Sequence, residues 1–147
     1  PSSRGTIEIQ SADPLQHPRI VANAYSTDED IAEMLDAVKF LRKIAAQKPL
    51  ADVIAEELRP GPTCVSDDDL IADIRQRSGT VYHPSCTCRM GPMARDSVVD
   101  PHLRVHGIEN LRVCDASVFP SLIAGNTNGP AMMLGWRGAE IILNDNA

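Results

Sequence analysis

From Gly125 the chain runs through a turn-rich stretch, Gly125-Asn126-Thr127-Asn128-Gly129-Pro130. An apolar segment too long for an ordinary strand follows, reaching Leu143. Pro130 suits the first turn of a helix, where its missing N–H leaves no hydrogen bond unmade. A helix opening there presents backbone N–H groups and the positive end of its dipole to whatever lies in front. Gly135 and Gly138 fall inside this helix, and each is about 1 kcal/mol less favourable there than Ala. Such glycines point to a backbone that is approached closely, either by a packed neighbour or by a ligand. Just upstream, Leu111-Arg112-Val113-Cys114 reads as a short apolar strand ending on Asp115-Ala116.

The whole chain, at 147 residues, is long enough for one domain with a real core. That core must be largely aliphatic, because hydrophobic residues make up 43% of the chain and aromatics only 3%. The net charge is −6, with no block of five like charges and no basic stripe. This argues against nucleic acid or an anionic membrane as the natural partner. No apolar run reaches membrane-spanning length and no charged-then-apolar signal segment opens the chain. Cysteines at 64, 86, 88 and 114 are irregularly spaced and fit reduced thiols in a cytoplasmic protein. Starting at Pro1, the chain reads as a piece of something longer.

In chain order, Thr6 to Gln10 alternates as a half-buried strand, Ser11-Ala12-Asp13-Pro14 turns, and Arg19 to Asn23 is a weaker strand. Thr27 is the expected N-cap of a long helix, with Asp30 as its capping-box partner. Acidic residues 28–30 and basic residues 39, 42 and 43 lie in the order a helix dipole favours. Ile31, Met34, Leu35, Val38, Leu41 and Ala45 form its apolar face. Ala51 to Leu58 reads as a shorter helix stopped at Arg59-Pro60-Gly61-Pro62. Ser66 caps another, buried through Leu70, Ile71 and Ile74 and stopped at Gly79. The acidic triplet Asp67-Asp68-Asp69 is accounted for by helix-start electrostatics without a metal. Thr80 to His83 is expected to be a strand.

His83 precedes Pro84, which confines its backbone to the extended region. A histidine so placed either exchanges a proton near neutral pH or serves a structural hydrogen bond. Asn126 alone is equally well a turn residue. Cys86, Cys88, His102 and His106 spell C-x-C, a spacer and H-x-x-x-H, a near miss for a zinc site. The cysteine pair is too tight, and the spacer holds Pro92 and Pro101 without a ligand-bearing helix.

Taken together, the motifs say more. Tyr82-His83-Pro84-Ser85-Cys86-Thr87-Cys88-Arg89-Met90-Gly91 resembles the HPxGTCRMG segment of the glucose–methanol–choline (GMC) oxidoreductases, flavin-dependent alcohol oxidases and dehydrogenases. Val98-Val99-Asp100-Pro101, Leu103-Arg104-Val105-His106-Gly107, Leu111-Arg112-Val113, Asp115-Ala116-Ser117 and Gly125 to Pro130 continue the likeness in order. Ser3-Arg4-Gly5-Thr6 and Ser11-Ala12-Asp13-Pro14 look like the family's strand entry and turn. Cys86 departs from the pattern where Gly is usual, and Gly129 where Ala is commoner. The family's N-terminal Gly-x-Gly-x-x-Gly flavin-binding run is absent. The resemblance is therefore to the C-terminal part of such an enzyme.

What the resemblance implies is specific. The fold is expected to be α+β, a mixed or antiparallel sheet layer backed by helices. It ends in a helix that in the family docks on an FAD-binding Rossmann-like domain. Residues 1 to about 84 would belong to the substrate domain and about 85–147 to the segment returning to the FAD domain. His83 matches the proton-abstracting histidine and Asn126 the second member of the catalytic pair. Asp115, Ala116, Thr127, Asn128 and Pro130 match contacts to FAD. The substrate would be a primary alcohol, choline-like by the nearest motifs, and no metal is needed. The expected partner is the missing N-terminal FAD-binding domain. Without it the piece would be inactive, would not hold FAD tightly, and would expose an apolar docking surface open to self-association.

Overall fold

The computed structural model describes residues 1–92 and 96–145. Its elements are β1 (Thr6–Glu8), β2 (Arg19–Val21), α1 (Asp28–Ala45), α2 (Asp67–Arg77), a single 3₁₀ turn at Ala116–Val118, and α3 (Asn128–Asp145). The class is α+β. The chain forms two compact units, Pro1–Gly79 and the residues from Thr80 onward.

In the first unit, β1 and β2 pair antiparallel, with Thr6 opposite Val21 and Glu8 opposite Arg19. Both strands are exposed along their length. The helix α1 starts where the sequence places it, because Thr27 Oγ1 accepts the Asp30 N–H at 3.4 Å. Asp30 does not complete the capping box. Its carboxylate turns instead to the N-terminal loop, accepting from Ser2 N at 2.6 Å, Ser2 Oγ at 3.1 Å and Ser3 N at 2.9 Å. Hydrogen bonds from Ser3 and Ser2 hold the Asp30 carboxyl far below the usual carboxylate range.

The inward face of α1 carries Ile31, Met34, Leu35, Val38 and Ala45, whereas Leu41 is 63% exposed. Arg42 takes the inward place, with a bidentate pair to Glu57 at 2.9 and 2.8 Å and a bond to Gly61 O at 3.2 Å. This pairing replaces the expected helix at 51–58, which is turn and extended chain. Val53 and Leu58 there are exposed, so the segment buries no continuous apolar face to hold a short helix. The helix α2 follows expectation: Ser66 Oγ accepts Asp69 N–H at 3.1 Å, and Leu70 and Ile74 are buried. Lys39 of α1 pairs with Asp67 of α2 at 2.7 Å.

The second unit is built on loops. Its core is Val99, Leu103 and Val118, with Cys88, Met90, Val105, Val113 and Leu134 packed around it. Neither Thr80–His83 nor Leu111–Cys114 becomes a strand. Tyr82 takes φ +61°, which breaks the extended run, and Arg112 makes only an isolated bridge to Arg104. The chain pairs elsewhere: Cys86, Cys88 and Met90 donate their N–H groups to the carbonyls of Ala116, Ser117 and Val118 at 3.3, 2.9 and 2.9 Å. The helix α3 begins at Asn128, two residues before Pro130.

Of the two glycines in α3, Gly138 is explained within the chain. A Cβ there would stand 2.3 Å from Cys114 Sγ and 3.1 Å from Leu103 Cδ1. A Cβ at Gly135 meets nothing within 4 Å among the described residues. At the end of α3, Asp145 accepts from Arg112 at 2.9 Å and from His102 Nδ1 at 3.1 Å. The Arg112 hydrogen bond, then that of His102, lowers the Asp145 carboxyl below its usual value against the opposing effect of burial. These contacts tie the helix end back to the loop core.

Candidate active site

Two stretches distant in sequence meet at His83. The backbone reverses at Tyr82, and Tyr82 N–H bonds back to Thr80 Oγ1 at 3.0 Å. This local turn fixes the residue before His83, while Pro84 restricts the one that it follows. From the other side, the loop ahead of α3 delivers Asn126 and Thr127. Asn126 Oδ1 lies 3.2 Å from His83 Nε2, and Thr127 Oγ1 lies 3.0 Å from His83 Nδ1. Both ring nitrogens therefore meet a side chain of the same loop. His83 and Thr127 are half-buried, and Asn126 is exposed, so the Nε2 side of the ring is the one that faces solvent.

The other residues singled out in the sequence lie on neighbouring backbone. Ala116 is joined to the histidine's segment through its carbonyl, which accepts from Cys86 N. Asp115 caps the 3₁₀ turn, accepting the Ser117 N–H at 2.8 Å. Hydrogen bonds from Ser117 keep its carboxyl below the usual range. Asn128 and Pro130 open α3, where backbone N–H groups have no partner inside the helix. Asn128 and Gly129 are exposed, and a Cβ at Gly129 would meet nothing within 4 Å among the described residues. One turn on, Met132, Met133 and Trp136 line an open apolar depression with Arg137.

The histidines of the near-zinc pattern are engaged otherwise. His106 Nε2 is 3.1 Å from both Ser97 Oγ and the Gly91 carbonyl, and a carbonyl only accepts. That nitrogen therefore donates to the Gly91 carbonyl. His102 faces Asp145. Among the described residues no three His, Cys, Asp or Glu side chains are grouped to hold a metal ion. Sequence reasoning assigned Thr127 to a cofactor loop and missed its bond to His83. The only signal was a hydroxyl adjacent to Asn126.

The sequence profile of the GMC oxidoreductases matches residues 1–135. The chain belongs to the GMC oxidoreductase family. It is 48% identical over 143 residues to an alcohol dehydrogenase [acceptor] of Pseudomonas putida, covering 97% of this chain and 26% of that protein. It is 45% identical over 142 residues to the mitochondrial choline dehydrogenase of Homo sapiens, covering 96% of this chain and 24% of that protein. Among solved structures, a formate oxidase of Aspergillus oryzae, studied for modification of its FAD, superposes with a TM-score of 0.88 at 31% identity. That match covers 96% of this chain and 25% of the oxidase. The chain thus spans about a quarter of the length of its relatives.

Proposed function

We propose that the chain is the C-terminal portion of an FAD-dependent alcohol dehydrogenase or oxidase that converts a primary alcohol, choline or a similar one, to its aldehyde. The observation that carries this reading is the contact of His83 with Asn126 on the solvent-facing side of the imidazole. An alcohol becomes an aldehyde by losing its hydroxyl proton and a hydride from the α-carbon. An imidazole takes a proton near neutral pH and an amide does not. His83 is therefore the base, receiving the hydroxyl proton at Nε2. Asn126, able to accept through Oδ1 or donate through Nδ2, holds the alcohol oxygen against that nitrogen. When bound, FAD supplies the acceptor for the departing hydride.

The residues present fit that cofactor. The first turn of α3 is open at Asn128 and Gly129, where helix N–H groups and the dipole favour a group that gains negative charge. Pro130 sets the backbone angle there. Thr127 stands in the same loop. Asp115, held ionised by Ser117, suits the hydroxyl donors of the ribityl chain and would repel phosphate oxygens. Ala116, with no side chain beyond Cβ, leaves room beside it. The thiols of Cys64, Cys86, Cys88 and Cys114 are unpaired, which supports a reducing, cytoplasmic setting. No helix among the described residues is long and apolar enough to cross a membrane.

Most of the flavin's binding surface belongs to the N-terminal portion that relatives possess, so the 147-residue chain is inactive alone. The apolar face of α3 packs on that portion in the whole protein. The test is anaerobic mixing of the full-length, flavin-loaded protein with choline or a medium-chain primary alcohol, following flavin bleaching. Bleaching supports the reading, and a flavin that stays oxidised with every primary alcohol removes it.

A further inference from the structure

Thr127 touches the one histidine nitrogen that the alcohol does not need. Its Oγ1 lies 3.0 Å from His83 Nδ1, both residues are half-buried, and the exposed Asn126 occupies the Nε2 side at 3.2 Å. A neutral imidazole carries its proton on one nitrogen and its lone pair on the other. A base that works at Nε2 must therefore keep its proton on Nδ1. Thr127 Oγ1 is the acceptor placed to hold that proton. It serves again after the alcohol has given up its own, since both nitrogens of the imidazolium then donate. Asn126 presents Oδ1 to Nε2 at 3.2 Å, the arrangement of the imidazolium with a proton on that nitrogen, and the amide must turn its Nδ2–H to the lone pair in the neutral base.

We infer that Thr127 is a positioning residue: its hydroxyl holds the Nδ1 proton of His83 and so keeps the Nε2 lone pair for the alcohol proton. The inference rests on the reading of His83 as the base. It differs from a cofactor contact for Thr127, because the bond is to the histidine ring and exists in the chain by itself. Its neighbour Asn126 handles the substrate side of the ring, and Thr127 handles the far side. Two consecutive loop residues thus fix one imidazole from both nitrogens.

The test compares Thr127→Val, which keeps the shape and loses the hydroxyl, with Thr127→Ser, which keeps the hydroxyl, in full-length flavin-loaded protein. Choline and a medium-chain primary alcohol are the probes. Losing one neutral hydrogen bond at the base predicts a fall in kcat of up to about tenfold for Thr127→Val with KM little changed. Thr127→Ser should stay close to wild type. The second readout is the ¹⁵N spectrum of histidine-labelled protein without alcohol. His83 should be protonated at Nδ1 in wild type and Thr127→Ser, and shift toward a tautomer mixture in Thr127→Val.

Equal kcat and an unchanged tautomer in Thr127→Val would overturn the inference. So would a Thr127→Ser variant as impaired as Thr127→Val, since the lost feature would then be bulk. The underlying reading fails separately, if His83→Ala reduces its flavin with these alcohols as fast as wild type. The nitrogen spectrum would then still report whether Thr127 holds Nδ1.

Discussion

His83 meets its two partners across 43 and 44 residues of sequence, and this is why the site was only half legible beforehand. The identities of His83 and Asn126 followed from motif resemblance. The Thr127 bond depends on how one loop is seated against another, which no local pattern encodes. Asn126→Ala in the full-length protein should lower kcat/KM for alcohol by about 10²-fold, the scale of removing one preorganised hydrogen-bonding group; steady-state kinetics with choline checks it. Cys86 shows the opposite case, a sequence oddity set on a backbone that favours the family's usual glycine. Its φ is +69°, a left-handed conformation that costs an ordinary residue roughly 1–2 kcal/mol. Glycine, usual at this place in the family, escapes that strain but loses about 0.5–1 kcal/mol through its freedom in the unfolded chain. The two effects nearly cancel. Cys86→Gly should change stability by under about 1 kcal/mol, whereas the branched Cys86→Val should destabilise by about 1–2 kcal/mol. Urea unfolding of the three proteins measures both.

Among the elements, α1 and α2 were readable because capping residues and charge order act locally. Thr27 and Ser66 do cap their helices, with acidic first turns and basic last turns. The 51–58 segment failed because Glu57 is held by Arg42 and the residues around it have no common face to bury. At the start of α1, the lowered Asp30 carboxyl has a pH consequence. Its ionised form adds stability above the unfolded value of about 3.9, and that stability fades as the pH falls toward the lower folded value. Asp30→Asn should therefore unfold at a lower temperature than wild type at neutral pH, with a gap that narrows below about pH 4. A gap constant down to about pH 2 would contradict this assignment. In α3, Gly138→Ala should destabilise by about 1–3 kcal/mol, because the new Cβ collides with the Cys114 sulfur. Adding Cys114→Ala should remove most of that loss. Gly135→Ala, facing open space, should instead gain up to about 1 kcal/mol from helix propensity.

At the scale of the whole molecule, α3 links the site to what lies outside this chain. Its first turn is open beside His83's partners, and its Trp136 is 76% exposed with Met132 and Met133 alongside. An apolar patch of this kind is covered in a functioning protein. The chain spans about a quarter of its relatives, and the remaining polypeptide is the proposed cover. In the isolated chain a second copy should take that place, so sedimentation should show association that grows with concentration. Trp136→Glu should disperse it, and a compact monomer at every concentration would count against the docking role. The family was legible from ordered motifs, whereas the loop-built second unit was not, because its core joins Val99, Leu103 and Val118 without regular strands. The proton-abstracting role of His83 is tested most directly by anaerobic flavin reduction in the full-length protein, comparing wild type with His83→Ala at equal flavin content. Choline or another primary alcohol should bleach the wild-type flavin, and His83→Ala should slow this by about 10²–10⁴-fold. Bleaching of His83→Ala at the wild-type rate would contradict it.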